Sequence, residues 1–297
     1  MSPVNRGAAA ALIVQEPAAG LAHEFSFSEE DFRHLARLAY EYAGIALADN
    51  KRNLVYSRVS RRLRALRMNT FSEYREFLAG DAKEIESFIN SISTNHTKFF
   101  REAHHFQHFR THVVLPFAQS GGRNVGGRLR VWSAGCSSGE EPYTIAVVLK
   151  REIRDFAGCD VRILATDIDT DVLGKAARGE FTATAFDEVP KPYHSFFKAE
   201  GSDGAGDKVV MDQEVKALIT FRRLNLMEPW PFHGKFDAIY CRNVMIYFDA
   251  ATKTTLVERF TRQLKPGGWL YIGHSESLIG SHPGLQLVGR TIYQRMA

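Results

Sequence analysis

The stretch that decides the fold is Arg130-Val131-Trp132-Ser133-Ala134-Gly135-Cys136-Ser137-Ser138-Gly139-Glu140-Glu141-Pro142. Arg130 to Ala134 form a strand, two glycines bound a turn, and a helix opens at Glu140. Pro142 falls in the first helical turn, where an amide has no internal partner, so the missing N–H costs nothing. A glycine turn after the first strand of an α/β unit lets a ligand come close to the backbone at the carboxyl edge of the sheet. Alone, the turn also fits an ordinary tight loop. A phosphate would use the positive end of the following helix, but Glu140 and Glu141 stand there. Two carboxylates repel a pyrophosphate and suit a cationic group such as a sulfonium or an α-amino group. The next apolar run ends in Ala165-Thr166-Asp167-Ile168-Asp169. An acid at the end of the second strand accepts hydrogen bonds from ribose hydroxyls, or else caps the helix beginning at Thr170. The G-x-G-x-x-G spacing of NAD enzymes is missing. Glycine turn, acidic helix start and strand-end acid together favour S-adenosylmethionine over NAD.

Outward from this unit, Leu218 to Phe221, Phe236 to Cys241 and Trp269 to Gly273 are further short apolar runs, most of them separated by helical stretches. The alternation predicts a parallel sheet covered on both faces. Leu285 to Val288 and Thr291 to Arg295 lie close enough to form a closing antiparallel hairpin. Between Phe181 and Thr220 the periodicity is lost, and Gly201 to Asp207 reads as a flexible loop tip flanked by Tyr193 to Lys198 and Lys208 to Met211. This predicts an inserted subdomain, about 182–221, built on a short hairpin. Upstream, Ser28 followed by Asp31 starts a helix that Gly44 ends. Further helices run from about Lys51 to Met68, from Thr70, and from Asp81, so residues 24–94 read as a small helical domain. Residues 95–297 then form the second domain, with 95–128 as a linker segment. Residues 1–23, rich in alanine with two prolines, read as a disordered tail, because the basic start and apolar core of a signal peptide are too weak.

Composition narrows the class. Of 297 residues, 44% are hydrophobic and 24% charged, which is the balance of a globular protein and excludes a disordered or fibrous one. Cys136, Cys159 and Cys241 form no C-x-x-C pair, which fits a reducing compartment and speaks against a zinc site or disulfide scaffold. No apolar run approaches the roughly 20 residues of a membrane span. His104, His105 and His108 are close together, but no acid or cysteine completes a ligand set, so they are expected at the surface and in packing. The net charge of +4 says little; its distribution says more. No acidic residue occurs from Asn50 to Ser72, while Val55, Val59, Leu63 and Leu66 share one helical face. Arg58, Arg61 and Arg64 then point largely outward, either as a solvated basic face or as a dock for an acidic partner. Nucleic acid is the competing partner, but no stacking platform or base-reading motif accompanies the helix.

Several longer segments occur in order: Asn95-His96-Thr97-Lys98-Phe99-Phe100-Arg101-Glu102, the turn through Tyr143, Thr166-Asp167-Ile168-Asp169, Cys241-Arg242-Asn243-Val244-Met245-Ile246-Tyr247-Phe248, Leu264-Lys265-Pro266-Gly267-Gly268, and Gly273-His274-Ser275-Glu276. Together they closely resemble the chemotaxis receptor glutamate O-methyltransferases, the CheR family, over nearly everything from Phe25 onward. The resemblance implies an α/β protein: a Rossmann-like S-adenosylmethionine-dependent methyltransferase domain with a mostly parallel seven-stranded sheet, an inserted small β-subdomain and an N-terminal all-α domain. It implies a cytoplasmic, monomeric enzyme, without membrane insertion, that methylates glutamates on the cytoplasmic helices of methyl-accepting chemotaxis receptors for adaptation and releases S-adenosylhomocysteine. Carried over by position, Asn95, Thr97, Arg101, Ala134, Glu140, Asp167, Asn225, Leu226, Arg242 and Asn243 are the expected cofactor contacts, Asn225 at the adenine edge with Leu226 on its face. Arg101 and Tyr247 are expected nearest the chemistry, and Arg58, Arg61 and Arg64 at the receptor. No metal is implied. A methyltransferase acting on RNA or another protein is less well matched, because the Asn/Asp-Pro-Pro-aromatic element of amino-methylating enzymes is replaced by Arg242-Asn243-Val244-Met245. A non-catalytic scaffold fits less well still with a full set of cofactor-facing residues, and a nicotinamide oxidoreductase least.

Overall fold

A computed structural model of the protein describes residues 24–121, 127–154, 156, 158–200, 208–276, 278 and 282–296. The expected tail at 1–23 and loop tip at 201–207 lie outside these. The chain opens with four helices, α1 (Glu29–Ala43), α2 (Arg52–Leu66), α3 (Phe71–Gly80) and α4 (Ala82–Ile92). Their ends follow from local chemistry. Ser28 Oγ accepts the Asp31 N–H at 3.1 Å and the Asp31 carboxylate accepts the Ser28 N–H at 2.9 Å, a reciprocal cap. Gly44, at φ 70°, closes α1 in the left-handed region. Thr70 Oγ1 caps α3 by accepting the Glu73 N–H at 3.1 Å, and the Glu73 carboxylate accepts the Asn69 N–H at 2.9 Å. Phe32, Leu35, Val55, Val59, Leu63, Tyr74 and Phe88 fill one apolar core.

After α5 (Ala103–Phe109), a π-helical stretch (Arg110–Val114) and α6 (Leu115–Gln119), the α/β part begins: β1 (Arg128–Ala134), α7 (Glu140–Glu152), β2 (Asp160–Asp167) and α8 (Thr170–Arg178). β3 (Glu180–Thr182), α9 (Ala183–Phe186), β4 (Phe197–Glu200), β5 (Lys208–Met211) and α10 (Gln213–Lys216) follow. The chain then returns through β6 (Ile219–Arg223), β7 (Phe236–Cys241), α11 (Ala250–Gln263), β8 (Leu264–Ile272), β9 (Leu285–Gly289) and β10 (Ile292–Arg295). The main sheet has seven strands in the order β6-β2-β1-β7-β8-β10-β9. β6, β2, β1, β7 and β8 pair in parallel, and β10 pairs antiparallel with both β8 and β9. Strand alternation divides the core between the two faces. Val131, Ala238, Tyr240 and Tyr271 join the cluster under α5 and α7, and Trp132, Ile239, Cys241, Leu270 and Ile272 join the one under α11.

β3, β5 and β4 form a separate three-stranded antiparallel sheet. The β4–β5 pair is the expected hairpin. β3 was not foreseen, since three residues directly after the α8 end at Gly179 are too few to show alternation. Within the expected insert, β6 belongs to the main sheet. β8 also begins five residues before the expected Trp269. Leu264 pairs with Phe236 and Trp269 with Ala238, so Lys265 to Gly268 bulge between two adjacent pairs, with Gly267 at φ 76°.

Candidate active site

β1 lies where the strand order reverses, with β2 on one side and β7 on the other, and ligands of open α/β sheets bind outside the carboxyl ends at such a point. A cavity of about 410 Å³ opens there. Its floor is the glycine turn. Gly135 and Cys136 donate their N–H groups to the Thr166 carbonyl at 2.8 and 2.9 Å, tying the turn to the end of β2. Gly135 sits at φ 82°, and a Cβ there would lie 2.3 Å from Val244 Cγ2, so both backbone and space require glycine.

Asp167 lines the cavity. Its carboxylate accepts the Ser137 N–H at 2.8 Å and the Asp169 N–H at 3.0 Å, and burial pushes its pKa up to about 6. The helix-capping alternative belongs to Asp169, which accepts the Asp171 and Val172 amides at 2.9 and 3.2 Å. Asp169 also accepts from Asn95 Nδ2 at 2.6 Å, fixing Asn95 at the cavity wall.

The two acids that open α7 part company. Glu140 accepts the Ser138 hydroxyl at 2.7 Å, burial raises its pKa, and it does not line the cavity. Ala134 does not line it either; it is buried at the end of β1. Glu141 does line it, but accepts from Ser133 Oγ at 2.7 Å and Arg242 Nη1 at 3.0 Å. Of the two acids expected to suit a cationic group, the one that faces the cavity is therefore already paired with Arg242. The other Arg242 arm donates to the Arg101 carbonyl and lies 3.4 Å from Glu102 Oε2. Burial works against ionisation of Glu102, yet Arg242 and His274 hold its pKa below the usual value.

Thr97, Arg101, Asn225, Leu226, Arg242, Asn243 and Tyr247 also line the cavity. Arg101 Nη1 donates to the His96 carbonyl at 2.8 Å, and its guanidinium lies at the cavity wall. Asn225 is more engaged than expected. Its Nδ2 donates to the Tyr42 carbonyl at 2.6 Å, and its Oδ1 accepts the Met227 N–H at 3.0 Å. Tyr247 is half-buried, and its hydroxyl donates to the Thr94 carbonyl at 3.3 Å. Burial raises the phenol's pKa, and the charges of Arg58 and Arg101 oppose the rise.

Two groups were missed from sequence. Ile45, Ala46, Leu47, Lys51 and Leu54, from the helical part, roof the cavity, and the Ala46 N–H donates to the Tyr247 carbonyl at 2.8 Å. No motif announces this contact. Glu276, in a motif that was noted, is buried against the Arg242–Tyr247 segment. The histidines are partly interior: burial first, then the Arg242 charge, lower the fully buried His105 to about 3, and His108 is bonded to the Tyr271 hydroxyl at 3.1 Å. On α2, Arg61 and Arg64 are exposed, but Arg58 is half-buried and donates to the Ser91 and Ser93 carbonyls. Its expected outward orientation is corrected: the carbonyls at the end of α4 draw it inward.

Residues 95–293 match the model for the CheR methyltransferase SAM binding domain, and residues 30–93 that for the CheR methyltransferase all-alpha domain. The chain belongs to the CheR methyltransferase family. It is 40% identical over 274 residues to chemotaxis protein methyltransferase 2 of Pseudomonas aeruginosa, covering 91% of this chain and 94% of that protein. It is 44% identical over 245 residues to a probable chemotaxis protein methyltransferase of Rhizobium etli, covering 82% and 91%. With the chemotaxis protein methyltransferase of Escherichia coli it shares 39% over 277 residues, covering 92% and 93%. This CheR methyltransferase uses S-adenosylmethionine in chemotactic signalling, and the activity expected from its sequence, protein-glutamate O-methylation, is that of its family. The cavity suits that cofactor. Asp167 offers a carboxylate for ribose hydroxyls, Ile168, Leu226, Val244 and Phe248 offer apolar surface for a base, and the carboxylates at the start of α7 leave no bare helix end for a phosphate.

Proposed function

We propose that this CheR methyltransferase acts in the cytoplasm as a monomer, methylating glutamate side chains on the cytoplasmic helices of chemotaxis receptors. The products are glutamyl methyl esters and S-adenosylhomocysteine. In this reading residues 24–94 form a docking domain and 95–297 the catalytic domain, with the small β-subdomain at about 182–221. No described helix is long and apolar enough to cross a membrane.

The observation that carries the chemistry is the placement of Arg101 and Tyr247 on one cavity, close enough for the Arg101 charge to act on the Tyr247 phenol. When bound, the cofactor supplies an electrophilic methyl group on a sulfonium. A glutamate with a reference pKa near 4.3 is already ionised at neutral pH, so the site needs no general base. One carboxylate oxygen forms the new bond to carbon as the carbon–sulfur bond breaks, and the electron pair leaves with sulfur. No proton moves. The chain's task is to desolvate the carboxylate and hold it in line. Arg101 offers a planar donor fork that matches a carboxylate, and Tyr247, kept protonated, offers one hydroxyl donor. Orientation without full neutralisation preserves the nucleophile.

Asn95, Thr97, Asp167, Leu226 and Asn243 would hold the cofactor, with Asn225 shaping the wall beside Leu226. Of the other expected contacts, Arg242 lines the cavity beside Glu141, and Glu140 and Ala134 would act from behind the wall. Labelled-methyl transfer to receptor-enriched membranes tests the whole reading. Arg101→Ala should reduce turnover at saturating cofactor on the order of 100-fold, and the label on wild-type product should be released by base. Near-normal turnover, or base-stable label, would overturn it.

A further inference from the structure

The segment that carries Asn243 and Tyr247 leaves the sheet at the end of β7 and makes no regular pairing; it passes through a single 3₁₀ turn, Met245–Tyr247. Asn243 itself sits at φ 60°, in the left-handed region that asparagine tolerates better than most non-glycine residues. The group that holds this segment in place is Glu276, four residues past the end of β8 at Ile272. Its side chain is buried. Oε2 accepts the Asn243 N–H at 2.6 Å and the Gly273 N–H at 2.7 Å, while Oε1 accepts the Ile246 N–H at 3.0 Å. One carboxylate thus bridges two loops and satisfies three backbone donors that have left the sheet ladders. Hydrogen bonds to an ionised acceptor are shorter and stronger than neutral ones. The fit is tight: a Cβ on Gly273 would lie 2.6 Å from Glu276 Oε2 and 2.7 Å from Asn243 Nδ2. No lysine, arginine or histidine approaches Glu276 within ion-pair distance among the described residues, so the carboxylate's partners are backbone amides.

We propose that Glu276 is a positioning residue for methyl transfer: by gripping the amides of Asn243 and Ile246 it sets the 3₁₀ turn and thereby the place of the Tyr247 hydroxyl. The proposal rests on the role given to Tyr247 above. Glutamine at 276 is nearly isosteric, yet it replaces one acceptor oxygen with an NH₂ that faces N–H groups and releases part of the grip.

The test is a double-mutant cycle read in kcat at saturating cofactor and receptor, with Glu276→Gln, Tyr247→Phe and the pair, each checked for folding by its thermal melt. Glu276→Gln should lower kcat on the order of 100-fold, the cost of misplacing a reacting group by about 1 Å, with a much smaller change in the KM for receptor. The pair should be no slower than the slower single variant, because removing the hydroxyl removes what Glu276 positions. Turnover of Glu276→Gln within twofold of wild type would overturn the proposal. Tyr247→Phe measured alone separates the two failures. Full activity there overturns the Tyr247 role and the positioning route with it, whereas a slow Tyr247→Phe whose loss multiplies with that of Glu276→Gln overturns the positioning route alone. If Glu276→Gln does not fold, Glu276→Asp carries the test: the retracted carboxylate should lower kcat while keeping the melt, and unchanged kcat overturns the proposal.

Discussion

Arg242 and Arg64 are the same residue type paired with the same residue type, and they stand at opposite ends of the electrostatic range. Arg242 is buried at the cavity wall, 3.0 Å from Glu141 and 3.4 Å from Glu102. Arg64 lies on the outer face of α2 and reaches Glu24 through solvent, both side chains being about half exposed (55% and 50%). Burial strips water from the first pair, so each charge depends on the other; the second pair is screened and its partners are replaceable by solvent. The buried arginine therefore serves architecture, and the exposed one is free to serve encounter. Arg242→Leu leaves Glu141 and Glu102 without the cation between them. We expect a loss of about 3–5 kcal/mol in urea unfolding, the largest effect of any substitution considered, with Glu141→Gln in the same chain restoring part of it. A loss no larger than that of an exposed arginine would show that the buried network is not the strut described.

Asp167 stands between these extremes: it is buried like Glu141, but its partners are amides, not a cation. Burial raises its folded-state pKa from 3.8 to about 6. The folded state then holds the proton more tightly than the unfolded chain. Its contribution to stability is full below about 3.8, is lost as pH rises towards about 6, and is constant above. Ribose hydroxyls donating to Asp167 demand the ionised form, so ligand binding runs the other way. Calorimetric affinity for adenosylhomocysteine should fall about tenfold per pH unit below about 6, and Asp167→Asn should flatten that limb. A flat wild-type profile between pH 5 and 7 would remove Asp167 from the ribose.

The same contrast explains what could be read from sequence. The turn from Trp132 to Pro142 is legible because its glycines, acids and proline act within a dozen consecutive residues, and Asp167 because strand ends punctuate the apolar runs. The hairpin at the C-terminus was legible for the same reason, and β3 was not because three residues carry no period. Arg242, one of the expected cofactor contacts, lines the cavity, but its pairing with Glu141 was not legible, because nothing in the order of residues says which of two adjacent acids will be neutralised. The roof at Ile45 to Leu47 was illegible because its register is set by the Ala46–Tyr247 hydrogen bond, between segments at opposite ends of the chain. Arg58 was assigned outward by helical phase alone, whereas the carbonyls at the end of α4 capture it. Helical phase fixes direction from the axis but not what a neighbouring helix presents there.

The smallest expected effect sits on the exposed side of the comparison. Arg61→Glu together with Arg64→Glu should leave the melting temperature and adenosylhomocysteine affinity unchanged, because neither side chain supports the core. What should change is encounter with an acidic receptor helix. At about 0.01 M ionic strength, where the screening length is about 30 Å, the reversed face should slow receptor methylation several-fold, on the order of tenfold. At about 1 M the screening length shrinks to about 3 Å, and wild type and variant should converge. The convergence is the discriminating part. A merely damaged protein stays slow at every salt concentration, and a face that meets no acidic partner is as fast as wild type at all of them. Only steering by charge produces a gap that closes as the charges are screened.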